Sequence, residues 1–143
     1  MEKNIYSEFL LHCRDQGVPV MPPARSEDVI QTFRELGQPL SNDVLTLYTS
    51  FGGFVDFEIE NLWSLWSLNR LKQENQAYEP PLCWFADYLV SSHMYALQYC
   101  NAEVSAVYVD HNSVNDPPYK IADSVEQFFK MYLRDPGSVE AWR

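Results

Sequence analysis

The chain has 143 residues, of which 46% are hydrophobic and 15% aromatic, and its formal net charge is −10 at pH 7. This composition excludes a disordered polymer, and no apolar run approaches the roughly 20 residues that a transmembrane helix needs. A chain of this length is expected to form one domain with a substantial core. The negative charge disfavours direct nucleic-acid binding and favours a basic protein partner, although acidity also serves solubility alone.

The first apolar pattern has helical spacing. Ile5, Phe9 and Cys13 recur four residues apart, and Tyr6 and Leu10 widen the same face. This spacing predicts an amphipathic helix, which the segment GVPVMPP ends.

Two further helices are predicted before any strand. Ser26 is expected to cap a helix that has an acidic first turn and ends at Gly37. Ser41 is expected to cap a third helix, which ends at Gly52 and Gly53.

After the glycines the pattern changes to that of strands. Residues 54–60, FVDFEIE, alternate apolar and acidic side chains, which predicts a strand with one buried and one solvated face. LWSLW continues as a second short strand, and SLNRLKQENQAY predicts a helix with Leu68 and Leu71 inward.

The second half predicts a meander followed by a helix. LCWFADYLV, HMYALQY and VSAVYVD form three strands, and HNSVNDPP forms a loop. Asp123 is expected to cap a final helix with Glu126 at its third position. We therefore predict a single α+β domain over residues 1–143, with a mostly antiparallel sheet of about five or six strands, N-terminal helices and a C-terminal helix packed around it.

The cysteines and the N-terminus favour a cytoplasmic protein. The opening MEKNIYSEFLLHCRDQG lacks the basic-then-apolar layout of a secretory signal. Cys13, Cys83 and Cys100 cannot all pair internally, and none lies in a C-x-x-C spacing, so we expect small buried apolar side chains. With no histidine pair four residues apart and no cysteine pair, we expect no metal site.

The stretch FADYLVSSHMYAL places Asp87, Ser91, Ser92 and His93 close together and raises the possibility of a hydrolase triad. Such triads are usually assembled from separate loops, and the G-x-S-x-G elbow is missing, so the pattern disfavours a triad. Asp87 and His93 would face each other only if the turn at Ser91 and Ser92 sets that register, and a structural hydrogen bond or a pocket wall is then favoured over an acid–base pair. A small hydrolase that uses His93 or His111 is a third, less favoured function.

Candidate binding residues fall in four groups, of which the pair Asp87 and His93 is one. Carboxylates two apart on a strand line one face at intervals of about 6.6 Å and could mimic a run of phosphates, although the plain solvated face of a half-buried strand is the favoured explanation. Two tryptophans three apart fit a core better than an interface. A polar segment from 110 to 119 is either a recognition loop or a solvated connector. The candidates are Asp56, Glu58 and Glu60; Trp63 and Trp66; Asp87 and His93; and Asp110, His111, Asn115, Asp116 and Tyr119.

The order of the motifs resembles the SUKH superfamily, which includes bacterial toxin-immunity proteins and Smi-type regulators of fungal cell-wall synthesis. LSNDVLTLYTSFGG is similar to its helix-then-glycine signature, WFADYL with HMYAL to its central hairpin, and YKIADSVEQFFKMYL to its closing segment. Many relatives carry a glycine- and aspartate-rich hairpin turn where this chain has LVSS at 89–92.

The resemblance implies a protein-binding module without catalytic residues or cofactor. As an immunity protein it would bind and occlude a cognate toxin domain, often a nuclease or a deaminase, whose phosphate-binding surface would be basic. The alternative within the superfamily is a regulatory scaffold for another client protein. A monomer and a homodimer joined through an exposed edge strand are both compatible with the sequence.

Overall fold

The computed structural model describes residues 4–55, 63–76, 82–88, 93–110 and 117–135. These ranges contain helices and one sheet, so the predicted α+β class is confirmed. The helices are α1 (Ile5–Asp15), α2 (Ser26–Glu35), α3 (Asn42–Ser50), α4 (Leu68–Asn75) and α5 (Val125–Arg134). The strands are β1 (Trp63–Leu65), β2 (Leu82–Tyr88), β3 (His93–Tyr99), β4 (Ser105–Asp110) and β5 (Tyr119–Ala122).

The described sheet is an antiparallel meander in which the strands lie in chain order, from β1 to β5. The three predicted meander strands and the short strand in LWSLW are confirmed. The fifth strand, β5, lies in the lead-in to the last helix, which the apolar pattern did not identify as a strand. It pairs with β4, so that Tyr108 lies opposite Lys120.

One face of the sheet carries the main core. Helices α1, α3 and α5 contact one another beneath it. Phe9 on α1 is completely buried, and its ring lies 4.8 Å from that of Phe129 and 5.7 Å from that of Phe51. Both pairs have the separations at which aromatic rings attract. The predicted inward face of α1 is therefore confirmed, because Tyr6, Phe9 and Cys13 are all buried.

The helix starts differ from the predicted caps at two positions. Arg25, and not Ser26, is the N-cap of α2, and no side chain there caps the helix. Ser124, and not Asp123, is the N-cap of α5, where its hydroxyl accepts a bond from the Gln127 backbone N–H at 3.1 Å. The Gln127 side chain accepts in turn from the N–H of Asp123, the residue before the cap, so the arrangement is a variant of a capping box, displaced by one residue from the predicted one.

Ser41 is the N-cap of α3 as predicted, but its side chain has another role. Its hydroxyl donates to Asp43 at 2.5 Å and lies 2.7 Å from the Ser105 hydroxyl. The Asp43 carboxylate also accepts from the backbone N–H groups of Ser105 at 3.2 Å and Val125 at 2.9 Å. One carboxylate thus joins the starts of α3, β4 and α5.

The glycine pair after α3 is required by close backbone packing. Gly53 has φ +96°, and a Cβ there would lie 2.6 Å from the Trp66 carbonyl oxygen. The Tyr48 hydroxyl donates to that same oxygen at 3.0 Å. The glycines therefore let the end of α3 fit against the chain that leaves β1.

The predicted strand at residues 54–60 is described only at its beginning. Phe54 forms an isolated antiparallel bridge with Val20, and residues 56–60 lie outside the described part of the chain. No helix among the described residues is both long enough and apolar enough to span a membrane.

Candidate functional site

The outer face of the sheet, opposite the main core, carries a row of mixed side chains. The register places Asp87 beside Ser64 on one side and Met94 on the other, and Met94 beside Asp110. Neighbouring strands are about 4.8 Å apart, so the Asp87 and Asp110 backbones are separated by about 10 Å on the same face. A second row contains Trp84, Ala96, Tyr108 and Lys120.

A β-bulge directs Asp87 to this face. Trp84 pairs with Ala96, but Ala86 pairs with Tyr95, so Phe85 is an extra residue in β2. If the same residues of β2 alternated regularly, without a bulge, Asp87 would lie on the core face together with Cys83. The inserted residue reverses the alternation and brings the carboxylate to the outer face.

Asp87 forms a shielded ion pair with Arg70 on α4. The guanidinium lies 3.1 Å from the carboxylate, and the two side chains are only 11% and 3% exposed. The same guanidinium lies over the Trp66 indole, 4.9 Å from the ring centroid. Arg70 is therefore held by a charge partner and by an aromatic face at once.

A second contact fixes α4 against β2. The Asn75 side chain accepts from the Trp84 backbone N–H at 2.8 Å and donates to the Trp84 carbonyl oxygen at 2.7 Å. The amide thus satisfies both backbone groups of one strand residue, as a neighbouring strand would. Arg70 and Asn75 together hold α4 at the border of the outer face.

Asp87 and His93 do not face each other. The register pairs His93 with Tyr88, and Asp87 with Met94, so the two side chains lie on opposite faces of the sheet. The His93 ring is half-buried and lies 5.6 Å from the Tyr88 ring. The register that a contact between Asp87 and His93 requires is therefore not the one observed, and the two side chains do not meet.

Trp63 and Trp66 are interior residues, as the favoured interpretation predicted. Both are 0% exposed. Trp63 lies in the main core, whereas Trp66 belongs to a small cluster on the outer face with Trp84, Met94 and Ala96. Neither indole is available at the surface for a partner.

The remaining candidates are only partly described. Asp110 is half-buried at the end of β4, and Tyr119 is 47% exposed at the start of β5. Asp56, Glu58 and Glu60 lie outside the described residues, as do His111, Asn115 and Asp116. The described part of the site therefore brings Asp87 and Asp110 onto one face.

The thiols fall into two environments. Cys13 and Cys83 are buried as expected, and burial raises the pKa of each thiol to about 12. Cys100 is exposed in the turn after β3, so the expectation that all three are buried is wrong for this residue. Among the described residues, no three His, Cys, Asp or Glu side chains form a group that could hold a metal ion.

Local ion pairs compensate many positive charges in the described part of the chain. Besides the buried pair of Arg70, the ammonium of Lys72 lies 2.9 Å from Glu35, that of Lys120 lies 2.8 Å from Asp123, and that of Lys130 lies 3.0 Å from Glu126. Arg25 contacts two carboxylates, on Glu27 and Asp28. The chain nevertheless carries 20 acidic residues against 10 basic ones, so the negative surplus remains after this pairing.

Sequence reasoning missed the residues that organise the outer face. Arg70 and Asn75 lay within a helix of correctly predicted type, but nothing local identified their partners, which lie 17 and 9 residues away. Tyr108 could have been identified as an outer-face residue from the sequence. Side chains alternate along β4, so Tyr108 lies on the face opposite to that of its neighbours Val107 and Val109, which are in the core.

Comparison with known proteins leaves the family open. No model of a known protein family matches the chain, and a search of curated proteins finds no significant match.

Proposed function

We propose that the protein is a cytoplasmic immunity protein of a bacterial polymorphic toxin system. It binds a basic toxin domain of the nuclease or deaminase class and occludes that domain's active site. The motif order that resembles the SUKH superfamily suggests this class of function. The observation that carries the proposal is electrostatic: a chain of net charge −10 in which many described cations are already compensated.

The charge distribution supports rapid capture of a cationic partner. Arg70, Lys72, Lys120 and Lys130 each have a carboxylate within 3.1 Å, so their positive charges are screened at short range. A nuclease or deaminase must present positive charge to nucleic acid. An acidic binder competes for that surface, and long-range attraction raises its association rate.

The part of the outer sheet face on β4 and β5 is the candidate contact surface, because the side chains on β2 and β3 there are buried. Rigid strands position Tyr108, Asp110 and Lys120 there, and each of these side chains is partly or largely exposed. Aromatic and charged side chains on a firm scaffold are typical of interfaces, with tyrosine enriched at hot spots. Asp87 contributes indirectly, because its carboxylate is engaged by Arg70.

The test is co-expression with the C-terminal domain of a secreted toxin whose gene neighbours that of this chain. Immunity predicts survival of the cells and co-purification of the two chains. No rescue, with the immunity candidate well expressed and the toxin active, would overturn the proposal.

Two charge reversals locate the contact. Asp110 lies on the outer face, whereas Asp15 lies at the end of α1, in the helical layer on the other side of the sheet. Asp110→Lys and Asp15→Lys change the net charge by the same amount. We expect Asp110→Lys to weaken the complex by tenfold or more, and Asp15→Lys by less than threefold. Equal effects would argue against the outer face.

A further inference from the structure

Helix α1 borders a groove that the proposed function does not use. The groove has a volume of about 560 Å³, within the range of small-molecule sites. Ser7, Leu10, Leu11 and Arg14 line it from α1, and Val18 and Val20 line it from the following segment.

The groove gives α1 a second apolar face. Tyr6, Phe9 and Cys13 point into the core, whereas Leu11 is 45% exposed in the groove. An exposed leucine alone requires no explanation, but here it lines the groove together with Leu10 and two valines. The walls therefore offer aliphatic contact along the length of the helix.

One end of the groove carries a positive charge that no carboxylate in the described ranges compensates. Arg14 is exposed and forms no ion pair with any residue in the described ranges. Ser7 lies two helical turns away, at a rise of about 10.5 Å for seven residues. The groove therefore combines an aliphatic wall of that length with a guanidinium at one end.

We propose that this groove binds a medium-chain aliphatic carboxylate. The chain lies against Leu10, Leu11, Val18 and Val20, and the carboxylate accepts two parallel N–H bonds from the Arg14 guanidinium, the geometry in which arginine binds carboxylates best. Binding is non-covalent, because the Cys13 thiol beneath the groove is 2% exposed and remains protonated at neutral pH.

The experiment is a titration of the ¹⁵N-labelled full chain with sodium decanoate, below its micelle concentration, followed by amide chemical shifts. We expect saturable shifts confined to residues 7–20. Decyltrimethylammonium carries the same chain with the opposite charge, and butyrate carries the same charge on a short chain. Both should bind at least tenfold more weakly than decanoate.

Two arginine variants form a matched pair. Arg34 also lies in the last turn of a helix and has no ion pair with a described residue, but α2 does not line the groove. Arg14→Gln should weaken decanoate binding about tenfold, whereas Arg34→Gln should leave it unchanged. Both arginines are exposed, so neither substitution should alter folding. A loss of decanoate affinity in Arg14→Gln therefore reports on the groove.

Three outcomes would overturn the proposal. Equal binding of decyltrimethylammonium would show an apolar surface that does not recognise a carboxylate. Equal effects of the two arginine variants would remove Arg14 from the site. Shifts in the groove that follow protein concentration, without response to decanoate, would identify a second copy of the chain as the occupant.

Discussion

The guanidinium of Arg70 lies between the Trp66 indole and the Asp87 carboxylate, 4.9 Å from the ring centroid and 3.1 Å from the carboxylate oxygen. This arrangement connects α4 to the outer face of the sheet. The two charged side chains are shielded from solvent, so removal of either one leaves a desolvated charge with one fewer partner.

Removal of Asp87 should strongly destabilise the fold. Asp87→Ala leaves the Arg70 guanidinium buried without its carboxylate, and we expect a loss of about 3–5 kcal/mol in the free energy of unfolding, measured by urea denaturation. Glu35→Ala breaks a pair whose side chains are 40% and 41% exposed, and should cost far less, because solvent screens an exposed pair. Similar losses in the two variants would show that the Asp87 pair is not effectively buried.

Gly53 should tolerate a methyl group far less well than Gly17. Both have positive φ, +96° and +70°, so alanine at either position costs about 1–2 kcal/mol in backbone conformation. Only at Gly53 would the new Cβ meet backbone, 2.6 Å from the Trp66 carbonyl oxygen, which adds about 1–3 kcal/mol. Thermal unfolding of Gly53→Ala and Gly17→Ala compares the two, and equal melting temperatures would contradict the close contact.

Asp43 should contribute more to the free energy of unfolding than another acidic residue in the first turn of a helix. Asp43→Ala deprives the Ser105 and Val125 N–H groups of their acceptor and should cost about 2–4 kcal/mol in chemical denaturation. Asp28 lies in the first turn of α2 with a side chain 63% exposed, so Asp28→Ala should cost below about 1 kcal/mol. A loss at Asp43 no larger than that at Asp28 would refute its role as a joint between three elements.

The buried thiols predict a loss of stability in alkali. The pKa values of Cys13 and Cys83 rise from 9.0 to about 12 on folding, because burial disfavours the thiolate. Above pH 9 the unfolded chain therefore binds fewer protons than the folded one, and the free energy of unfolding falls as pH increases from about 9 to 12. The slope from each thiol is at most about 1.4 kcal/mol per pH unit.

Cysteine variants separate this effect from general alkaline unfolding. Cys83→Ala should give a shallower slope of unfolding free energy against pH, whatever its stability at pH 7. Cys100→Ala removes an exposed thiol and should keep the wild-type slope. A slope unchanged in Cys83→Ala would mean that this thiol does not contribute.

The sequence predicted the elements with strong apolar periodicity. The spacing of Ile5, Phe9 and Cys13 predicted the inward face of α1, and the aromatic and β-branched runs predicted β2, β3 and β4. It missed β5, because a four-residue edge strand with three of its residues at least partly exposed has little alternation to detect. Caps were displaced by one residue, since several neighbouring polar residues can satisfy the same backbone groups.

The outer face was harder to predict because its geometry depends on tertiary structure. One extra residue at Phe85 reverses the alternation in β2 and decides which side Asp87 occupies. The partner of that carboxylate, Arg70, comes from a helix 17 residues earlier. Neither the bulge nor the docking of α4 has a local sequence signal, so the candidate site could be predicted only in part.

The most direct test of the proposed function is the association rate of the protein with its cognate toxin domain over a salt series. Electrostatic capture by a chain of net charge −10 predicts an association rate constant that falls by tenfold or more as salt rises, while the dissociation rate changes little. An association rate that is independent of salt, or that increases with it, would contradict capture of a basic partner by the acidic surface.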